Sequence, residues 1–146
     1  MVLVFYLGTA ASRRSHMHRL QQNNPRWIAA AAQAQPARKP LEVRLIWQCV
    51  ALLPQHYRVF VHLLNAQGQI VAQSDAEPAG WTRPTTGWLP GEFIVDEHQL
   101  QLPAALPAGS YALQAGLYDA ASGMRLSGSS NPAGVVLLQP VQVAAP

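Results

Sequence analysis

The sequence predicts an all-β protein: an antiparallel immunoglobulin-like β-sandwich of about seven strands after an irregular or partly helical N-terminal extension. Three observations support this prediction. Short segments of alternating apolar and polar residues recur after residue 40, clusters of Gly, Pro, Asn and Asp separate them, and no helical period appears among them. We therefore divide the chain into a basic extension, residues 1–40, and a β-sandwich domain, residues 41–146.

The charge distribution changes at the same boundary. Residues 1–40 contain six of the ten basic side chains and no acidic side chain, whereas residues 41–146 contain the other four and all seven acidic ones. The domain is therefore acidic, although the whole chain has a formal net charge of +3. A basic surface that follows a phosphate backbone is not expected on the domain, and we predict no nucleic-acid partner.

The N-terminal extension has no sustained amphipathic period, and Pro25, Pro36 and Pro40 interrupt any long helix. The alanine-rich segment Arg26–Gln35 is compatible with a short helix, and the rest is expected to be poorly ordered. The apolar run Val2–Leu7 is shorter than the core of a signal peptide, so no convincing export signal is present. No run approaches the ~20 apolar residues of a transmembrane helix, and we predict no membrane span.

The first strands of the domain have the clearest patterns. Leu41–Val50 is apolar on one face, whereas Tyr57–Leu64 is apolar on both faces and is expected to be a central strand. Asn65–Gly68 then forms the loop of a hairpin whose second strand is Gln69–Gln73, with Gly68 suited to a left-handed position. The core face of the first strand is predicted to consist of Leu41, Val43, Leu45, Trp47 and Cys49.

The remaining strands follow a long irregular connection, residues 75–90, which is rich in proline and glycine. The patterns predict strands at residues 92–102, 110–118, 124–127 and 135–143. Asp119–Gly123 is the turn between the second and third of these, since Asp commonly begins and Gly commonly ends such a turn.

The sequence lacks the patterns that catalysis usually needs. It has no Gly-x-Ser-x-Gly nucleophile elbow and no glycine-rich phosphate loop, and its one cysteine, Cys49, lies in an apolar strand. The pair His16-x-His18 has no third metal ligand near it, and the spacing of the aspartates matches no calcium loop. We therefore predict that the protein is not an enzyme and has no catalytic residue, no metal site and no cofactor.

Histidine occurs in two segments whose chemistry needs a separate interpretation. His62 lies in an apolar strand and is predicted to be a hydrogen-bonded core or interface histidine. Asp96, Glu97 and His98 are consecutive, so strand geometry places Asp96 and His98 on one face and Glu97 on the other. A polar run at a strand edge is the favoured interpretation. A small hydrolase that uses His62, Asp96 and His98 is the alternative.

The segment Gly80–Glu92 is the stretch whose composition best suits a ligand. It holds Trp81, Arg83 and Trp88 on a long loop, where two indoles and a guanidinium can form a stacking platform for a sugar ring. We predict these three as ligand-binding residues. The competing interpretation is that Trp88 caps the core and Trp81 folds over the sheet edge.

Four segments that together span residues 41–126 carry a resemblance to a known domain. They are LEVRLIW (Leu41–Trp47), YRVFVHLLNAQGQIVAQSD (Tyr57–Asp75), RPTTGWLPGE (Arg83–Glu92) and DEHQLQLPAALPAGSYALQAGLYDAASGMRL (Asp96–Leu126). In the order, spacing and turn residues of these segments, the chain resembles a bacterial β-sandwich domain. That domain occurs at the C-terminus of multi-spanning membrane glycosyltransferase-like (mannosyltransferase-like) proteins and in stand-alone hypothetical proteins.

The resemblance implies a non-catalytic accessory domain on the extracytoplasmic side of the cell envelope. Its implied partners are a glycan or a membrane glycosyltransferase-like protein, and no catalytic residue is carried over because the transferase activity belongs to the membrane part. The N-terminus departs from the family, since Gln35–Pro40 lacks the glycine of the expected turn. Val2–Leu7 is then a remnant of the first strand, or residues 1–30 are a mis-set or frame-shifted start.

A domain without its first strand would have an exposed sheet edge that needs cover or a partner. Such an edge recruits other chains by strand addition. The alternative function is therefore a structural or protein-interaction domain that is detached from a membrane glycosyltransferase partner.

Overall fold

The computed structural model describes residues 2–6, 38–128 and 131–145, and these are mostly β-strand. The strands are β1 (Val2–Tyr6), β2 (Leu41–Cys49), β3 (Tyr57–Leu64), β4 (Ile70–Ala76), β5 (Phe93–Leu100), β6 (Gly109–Asp119), β7 (Val136–Leu137) and β8 (Val141–Val143). Between β4 and β5 lie the short helical turn α1 (Pro78–Trp81) and a 3-10 turn (Thr85–Gly87). The prediction of an all-β protein is thereby confirmed at the level of fold class.

The strands form two antiparallel sheets. Sheet I has the order β1-β2-β5, and sheet II has the order β4-β3-β6-β7, with β8 also paired to β6. Since β4 belongs to sheet II and β5 to sheet I, the connection between them, residues 77–92, crosses from one sheet to the other. This connection contains all three residues that the sequence predicts as a ligand site.

Alternating apolar residues from both sheets build one hydrophobic core. The predicted core face of β2 is confirmed, because every one of its five side chains is buried there. Burial of such a side chain contributes roughly 1.5–3 kcal/mol to folding. The other sheet contributes Val59, Val61, Leu63, Leu113, Ala115 and Leu117, among others.

Strand β3 is buried on its core face and buried or half-buried on the other, and it lies between β4 and β6, in agreement with the prediction of a central, largely buried strand. Phe60 is only 2% exposed although it lies outside the shared core, on the outer face of sheet II. The Arg125 guanidinium carbon lies 4.9 Å from the Phe60 ring centroid. A Cβ at Gly116 would come within 2.4 Å of the Gly134 carbonyl oxygen and 2.5 Å of the Phe60 ring, so glycine is required for this close approach.

The predicted hairpin between β3 and β4 is confirmed. Gly68 has a φ of 74°, in the left-handed region that the loop requires. The Asn65 side-chain oxygen accepts the backbone N–H groups of Gln67 and Gln69 at 3.0 and 2.9 Å. Asn65 therefore stabilises the loop through its side chain, as Asn commonly does in turns.

Two predicted strands near the C-terminus differ in the structure. Residues 135–143 form two short strands, β7 and β8, because the segment includes Pro140, which has no N–H to donate to a ladder. Residues 124–127 contain no strand and return to the sheet only through the bridge between Tyr118 and Arg125. The prediction of seven separate strands therefore needs correction in this region.

The structure describes residues 2–6 of the extension, and these form a strand, as in the alternative that treats Val2–Leu7 as a remnant of the first strand. Val2–Tyr6 is a strand that pairs antiparallel with β2, from Val2 opposite Cys49 to Tyr6 opposite Leu45. Its β-branched and aromatic composition favours a strand, and the outer edge of β2 supplies unpaired backbone groups. The predicted helix at Arg26–Gln35 and the pair His16-x-His18 lie outside the described residues.

Arg38, which lies just before β2, forms hydrogen bonds with residues much later in the sequence. The Arg38 guanidinium donates to the carbonyl oxygens of Ala104, Leu106 and Ala144 at 3.2, 2.8 and 3.0 Å. Five N–H donors in a fixed fork allow one arginine to bind several carbonyls. The ordered contacts of the domain therefore begin before residue 41.

Candidate functional site: the turn that carries Trp81

The turn α1 has an unusual backbone. Ala79, Gly80 and Trp81 all have positive φ values, of 52°, 59° and 70°. The left-handed region favours glycine, and a non-glycine residue held there costs about 1–3 kcal/mol. Ala79 and Trp81 therefore stay in this conformation because contacts around them compensate. We call Pro78–Trp81 the left-handed turn.

Trp81 is exposed at the end of this turn. Its side chain is 56% exposed, and the Arg58 guanidinium carbon lies 5.0 Å from the ring centroid. A guanidinium at this distance forms a cation–π contact, which is worth about 0.5–1 kcal/mol at exposed sites. Arg58 of β3 therefore supports the Trp81 ring, and much of the indole remains open to solvent.

Arg83 contacts Glu92 and Trp88, which belong to the same connection. Its guanidinium forms an ion pair with the Glu92 carboxylate, whose other oxygen accepts the Leu89 N–H at 3.0 Å. The hydrogen bond from Arg83 holds the pKa of Glu92 below its usual value. The Arg83 carbonyl accepts the Trp88 indole N–H at 3.0 Å. Arg83 thus closes residues 83–92 into an ordered loop.

Trp88 does not share a surface with Trp81. It is 0% exposed and belongs to the hydrophobic core, with its indole N–H satisfied by the Arg83 carbonyl. The prediction of a platform made from two tryptophans therefore needs correction, since a buried ring cannot stack against a ligand. The competing interpretation, that Trp88 caps the core, describes its position, whereas Trp81 stays exposed.

The left-handed turn is attached to a buried carboxylate. The Ala79 N–H donates to Oδ1 of Asp96 at 2.9 Å, and the Trp47 indole N–H donates to Oδ2 at 3.0 Å. His98 Nε2 lies 2.9 Å from the same Oδ2, and its Nδ1 lies 3.0 Å from the Ser74 hydroxyl oxygen. The network joins β2, β4, β5 and the turn.

For residues 96–98, the predicted assignment of side chains to the two faces of the strand is confirmed, whereas the predicted exposure of Asp96 and His98 is wrong. Glu97 points away and pairs with Arg44 at 3.1 Å, whereas Asp96 and His98 share the inner face. They are 1% and 3% exposed rather than a polar run at the strand surface. A buried polar group requires hydrogen-bond partners. Trp47, Ala79 and Ser74 supply those partners here, which the alternation of one strand cannot reveal.

The network contains the hydroxyl of Ser74, the imidazole of His98 and the carboxylate of Asp96 in the order of a nucleophilic triad. In the tautomer that donates Nε2–H to Asp96, the His98 ring accepts the Ser74 hydroxyl at Nδ1. A catalytic triad also requires room for a substrate and donors for an oxyanion. Here the carboxylate and imidazole are enclosed between the sheets, and the geometry is that of a polar tie from sheet I to sheet II.

The structure does not bring His62 to this network. His62 lies opposite Gln73 and therefore on the outer face of sheet II, whereas Ser74 lies opposite the core residue Val61. His62 Nε2 is 3.6 Å from an Asp75 oxygen, and its buried Nδ1 has no hydrogen-bond partner among the residues that the structure describes. Burial lowers the pKa of His62, with partial opposition from the Asp75 charge. The three residues of the hydrolase alternative thus lie in two separate places.

Metal ligands are dispersed across the part of the chain that the structure describes. No group of three His, Cys, Asp or Glu side chains there is placed to hold a metal ion. Asp75 is on the outer face of sheet II, Asp96 is in the interior, and Asp119 accepts hydrogen bonds in its own hairpin turn. Cys49 is buried, with its sulfur 3.2 Å from the Ala51 carbonyl.

Sequence reasoning missed Ser74 and Ala79. Alternation places Ser74 on the inner face of β4 together with Ala72, which was a usable signal for a polar group facing the core. Nothing in the sequence indicates that His98 lies opposite, because the two residues belong to different sheets. Ala79 contributes through its backbone, which side-chain patterns do not report.

No protein-family model, no curated protein and no solved structure matches this chain. Among the helices of the described ranges, none has the length and apolar character to cross a membrane. The assignment of a function therefore relies on the geometry of the left-handed turn and its surroundings.

Proposed function

We propose that the two sheets form an immunoglobulin-like β-sandwich that serves as a non-catalytic accessory module and contacts glycans through Trp81. Two antiparallel sheets with a shared apolar core support the architecture. The placement at the cell envelope, on its extracytoplasmic side, and the partnership with a membrane glycosyltransferase-like protein rest on the resemblance of residues 41–126.

The exposed indole of Trp81 is the observation that carries this proposal. A protein normally buries tryptophan, because the ring removes a large apolar area from water. Here the chain accepts left-handed backbone at Ala79 and Trp81 and yet leaves the ring 56% exposed. Strained backbone of this kind is concentrated at functional sites. An indole ring held in place is a suitable surface for the apolar face of a sugar.

The surroundings of the turn add space and polar groups. A cavity of about 440 Å³ is lined by Ala79, Gly80, Val95 and Glu97. This volume is within the range of small-molecule sites. Glu97, which lines the cavity, and its ion-pair partner Arg44 are mostly exposed and offer an acceptor and donors. Hydroxyl groups of a saccharide require such a mixture of donors and acceptors.

A glycan array tests the proposal with three matched variants. We expect the wild-type chain to bind at least one class of glycan, and Trp81→Ala to lose about tenfold or more in affinity, as for an exposed aromatic anchor. Trp81→Phe should keep part of the affinity. Leu89→Ala is the control, because Leu89 is 64% exposed in the same connection but lies outside the left-handed turn. An array without bound glycan, or equal binding by Trp81→Ala, would contradict the proposal.

A second candidate function is a protein-interaction domain, and the outer face of sheet I favours it. Phe93 and Val95 are 58% and 46% exposed at alternate positions of β5, where Val95 lies opposite Ile46 of β2. Exposed apolar neighbours on one sheet face are typical of a contact surface. Sedimentation of the wild type over a range of concentrations, compared with Phe93→Ser, would reveal self-association through this face. A monomer at every concentration would count against self-association.

A further inference from the structure

The left-handed turn is attached to the rest of the domain by the buried Pro78, by the Arg58–Trp81 contact and by one backbone hydrogen bond to a strand among the described residues. Its remaining backbone hydrogen bonds stay within the connection: Trp81 N–H to the Glu77 carbonyl, Thr82 N–H to the Ala79 carbonyl and Arg83 N–H to the Pro78 carbonyl. Within the described ranges, the bond from the Ala79 N–H to Asp96 is the one that ties the backbone of residues 78–82 to a strand. The packing of Pro78 places the start of the turn, and the backbone that leads from Ala79 to Trp81 is fixed by the Asp96 carboxylate.

Asp96 is itself held from both sides. On sheet I, the Trp47 indole N–H of β2 donates to its Oδ2. On the side of sheet II, Ser74 of β4 contacts His98, and His98 contacts Oδ2. Because the carboxylate and imidazole are almost fully buried, solvent does not compete for these bonds. The carboxylate is thus a fixed point, defined by two sheets, to which the turn is attached.

We infer that Asp96 is the positioning residue for Trp81. Through the Ala79 N–H, two residues before Trp81, it holds the left-handed turn in the conformation that presents the indole to solvent beside Arg58. The inference rests on the proposed function only for the reason why Trp81 is presented to solvent. The placement of Trp81 itself does not depend on a sugar. Asp96 itself touches no ligand in this scheme.

The chemistry of the network explains why a carboxylate is needed. The Ala79 N–H and the Trp47 indole N–H are both donors only, and they approach different oxygens of Asp96. An asparagine has one acceptor oxygen and an NH₂ group, so it cannot accept from both. Asp96→Asn therefore leaves one of the two donors facing another donor, with little change in volume. Because Trp47 and His98 both contact Oδ2, we expect the single amide oxygen to stay at that position, so the Ala79 N–H loses its acceptor. Trp47→Phe removes the competing donor and leaves the bond to Ala79 in place.

Nuclear magnetic resonance of the full chain labelled with 5-fluorotryptophan and ¹⁵N tests the inference. The fluorine signal of Trp81 is assigned by its loss in Trp81→Phe. In Asp96→Asn we expect the Trp81 signal to move and the Ala79 amide to exchange about tenfold faster or more, as for a locally opened segment. In Trp47→Phe we expect the Trp81 signal and the Ala79 exchange rate to stay close to the wild type. The double variant Trp47→Phe/Asp96→Asn should restore the Ala79 protection, since its one oxygen is then free for Ala79. His98 accommodates the introduced NH₂ in its other tautomer, which accepts at Nε2 and donates from Nδ1 to the Ser74 hydroxyl.

Amides in the core strand β6, such as that of Leu113, separate a local effect from general destabilisation. Equal acceleration at Leu113 and Ala79, or an unchanged Trp81 signal in Asp96→Asn, would overturn the inference. If Asp96→Asn does not fold, the wild type decides: an Ala79 amide that exchanges as fast as an unprotected amide would overturn it, and a protected one would support it. Neither measurement uses a glycan, so a chain that binds no sugar would refute the proposed function and leave this inference standing.

Discussion

At the scale of single residues, Trp81 and Trp88 lie seven positions apart and have opposite roles. Trp88→Ala should lower the free energy of unfolding by about 3–5 kcal/mol, because it empties a fully buried site in the core. Trp81→Ala should change it by no more than about 1 kcal/mol, since it removes a half-exposed ring and one cation–π contact. Urea unfolding followed by far-ultraviolet circular dichroism measures both. Similar losses in the two variants would show that the indoles are equally buried.

The two tryptophans also show what the sequence can and cannot predict about a site. Composition was sufficient to single out residues 80–92, since two indoles and a guanidinium on a loop are unusual. Whether an indole turns inward depends on a local partner, here the Arg83 carbonyl for Trp88, and on backbone angles such as the φ of 70° at Trp81. Neither follows from the spacing of residue types.

At the scale of elements, the left-handed turn is held against an intrinsic backbone cost. Gly80→Ala should lower the free energy of unfolding by about 1–2 kcal/mol, because an alanine at a φ of 59° brings its Cβ against the backbone carbonyl. Apart from the two neighbouring residues in the chain, no described residue has an atom within 4 Å of that Cβ, so the effect is one of backbone conformation.

Gly87→Ala is the matched control in the same connection. Its Cβ also meets nothing within 4 Å, and its φ lies outside the left-handed region. Alanine there reduces the entropy of the unfolded chain, so stability should stay constant or rise by up to about 1 kcal/mol. Thermal unfolding of the two variants compares them directly. A Gly80→Ala variant as stable as Gly87→Ala would show that the turn does not keep its left-handed backbone in solution.

The bounds of a strand could be predicted where its own residues and the turn beside it were sufficient to define it. Strand β3 has the predicted bounds, Tyr57–Leu64, because both of its faces are apolar and a turn with Asn65 and Gly68 follows at once. Residues 135–143 were less predictable, since an apolar pattern continues through Pro140 although pairing does not. The addition of β1 depends on pairing across more than thirty intervening residues, which local patterns do not report.

At the scale of the whole molecule, two polar clusters lie on opposite faces of sheet II and act differently. The inner cluster, Ser74, His98 and Asp96, joins the two sheets by hydrogen bonds through the apolar interior. The outer cluster contains His62 between Phe60, Asp75 and Arg125, with one ring nitrogen that is buried and unpartnered within the described part of the chain. Neighbouring positions of β4, Ser74 and Asp75, take part in the two clusters because successive strand residues face opposite sides.

The outer cluster predicts how the stability of the whole protein depends on pH. Burial lowers the pKa of His62, and the nearby Arg125 charge lowers it further, while Asp75 opposes both. The unfolded chain, with an ordinary histidine pKa of 6.5, therefore binds a proton more readily than the folded chain. The stability that neutral His62 contributes is fully present above pH 6.5 and is lost as the pH falls through 6.5 towards the lower pKa of the folded state.

We therefore expect the urea concentration at the unfolding midpoint to decrease as the pH is lowered from neutral to mildly acidic. His62→Gln should make this midpoint less dependent on pH. Glutamine keeps a polar side chain of similar length but does not titrate, so the difference between the two profiles isolates His62. Asp75→Asn should enlarge the loss and extend it to lower pH, because it removes a charge that raises the pKa of His62. A His62→Gln profile parallel to the wild type would mean that the imidazole is hydrated in solution, and that the buried nitrogen on the outer face of sheet II has a water partner.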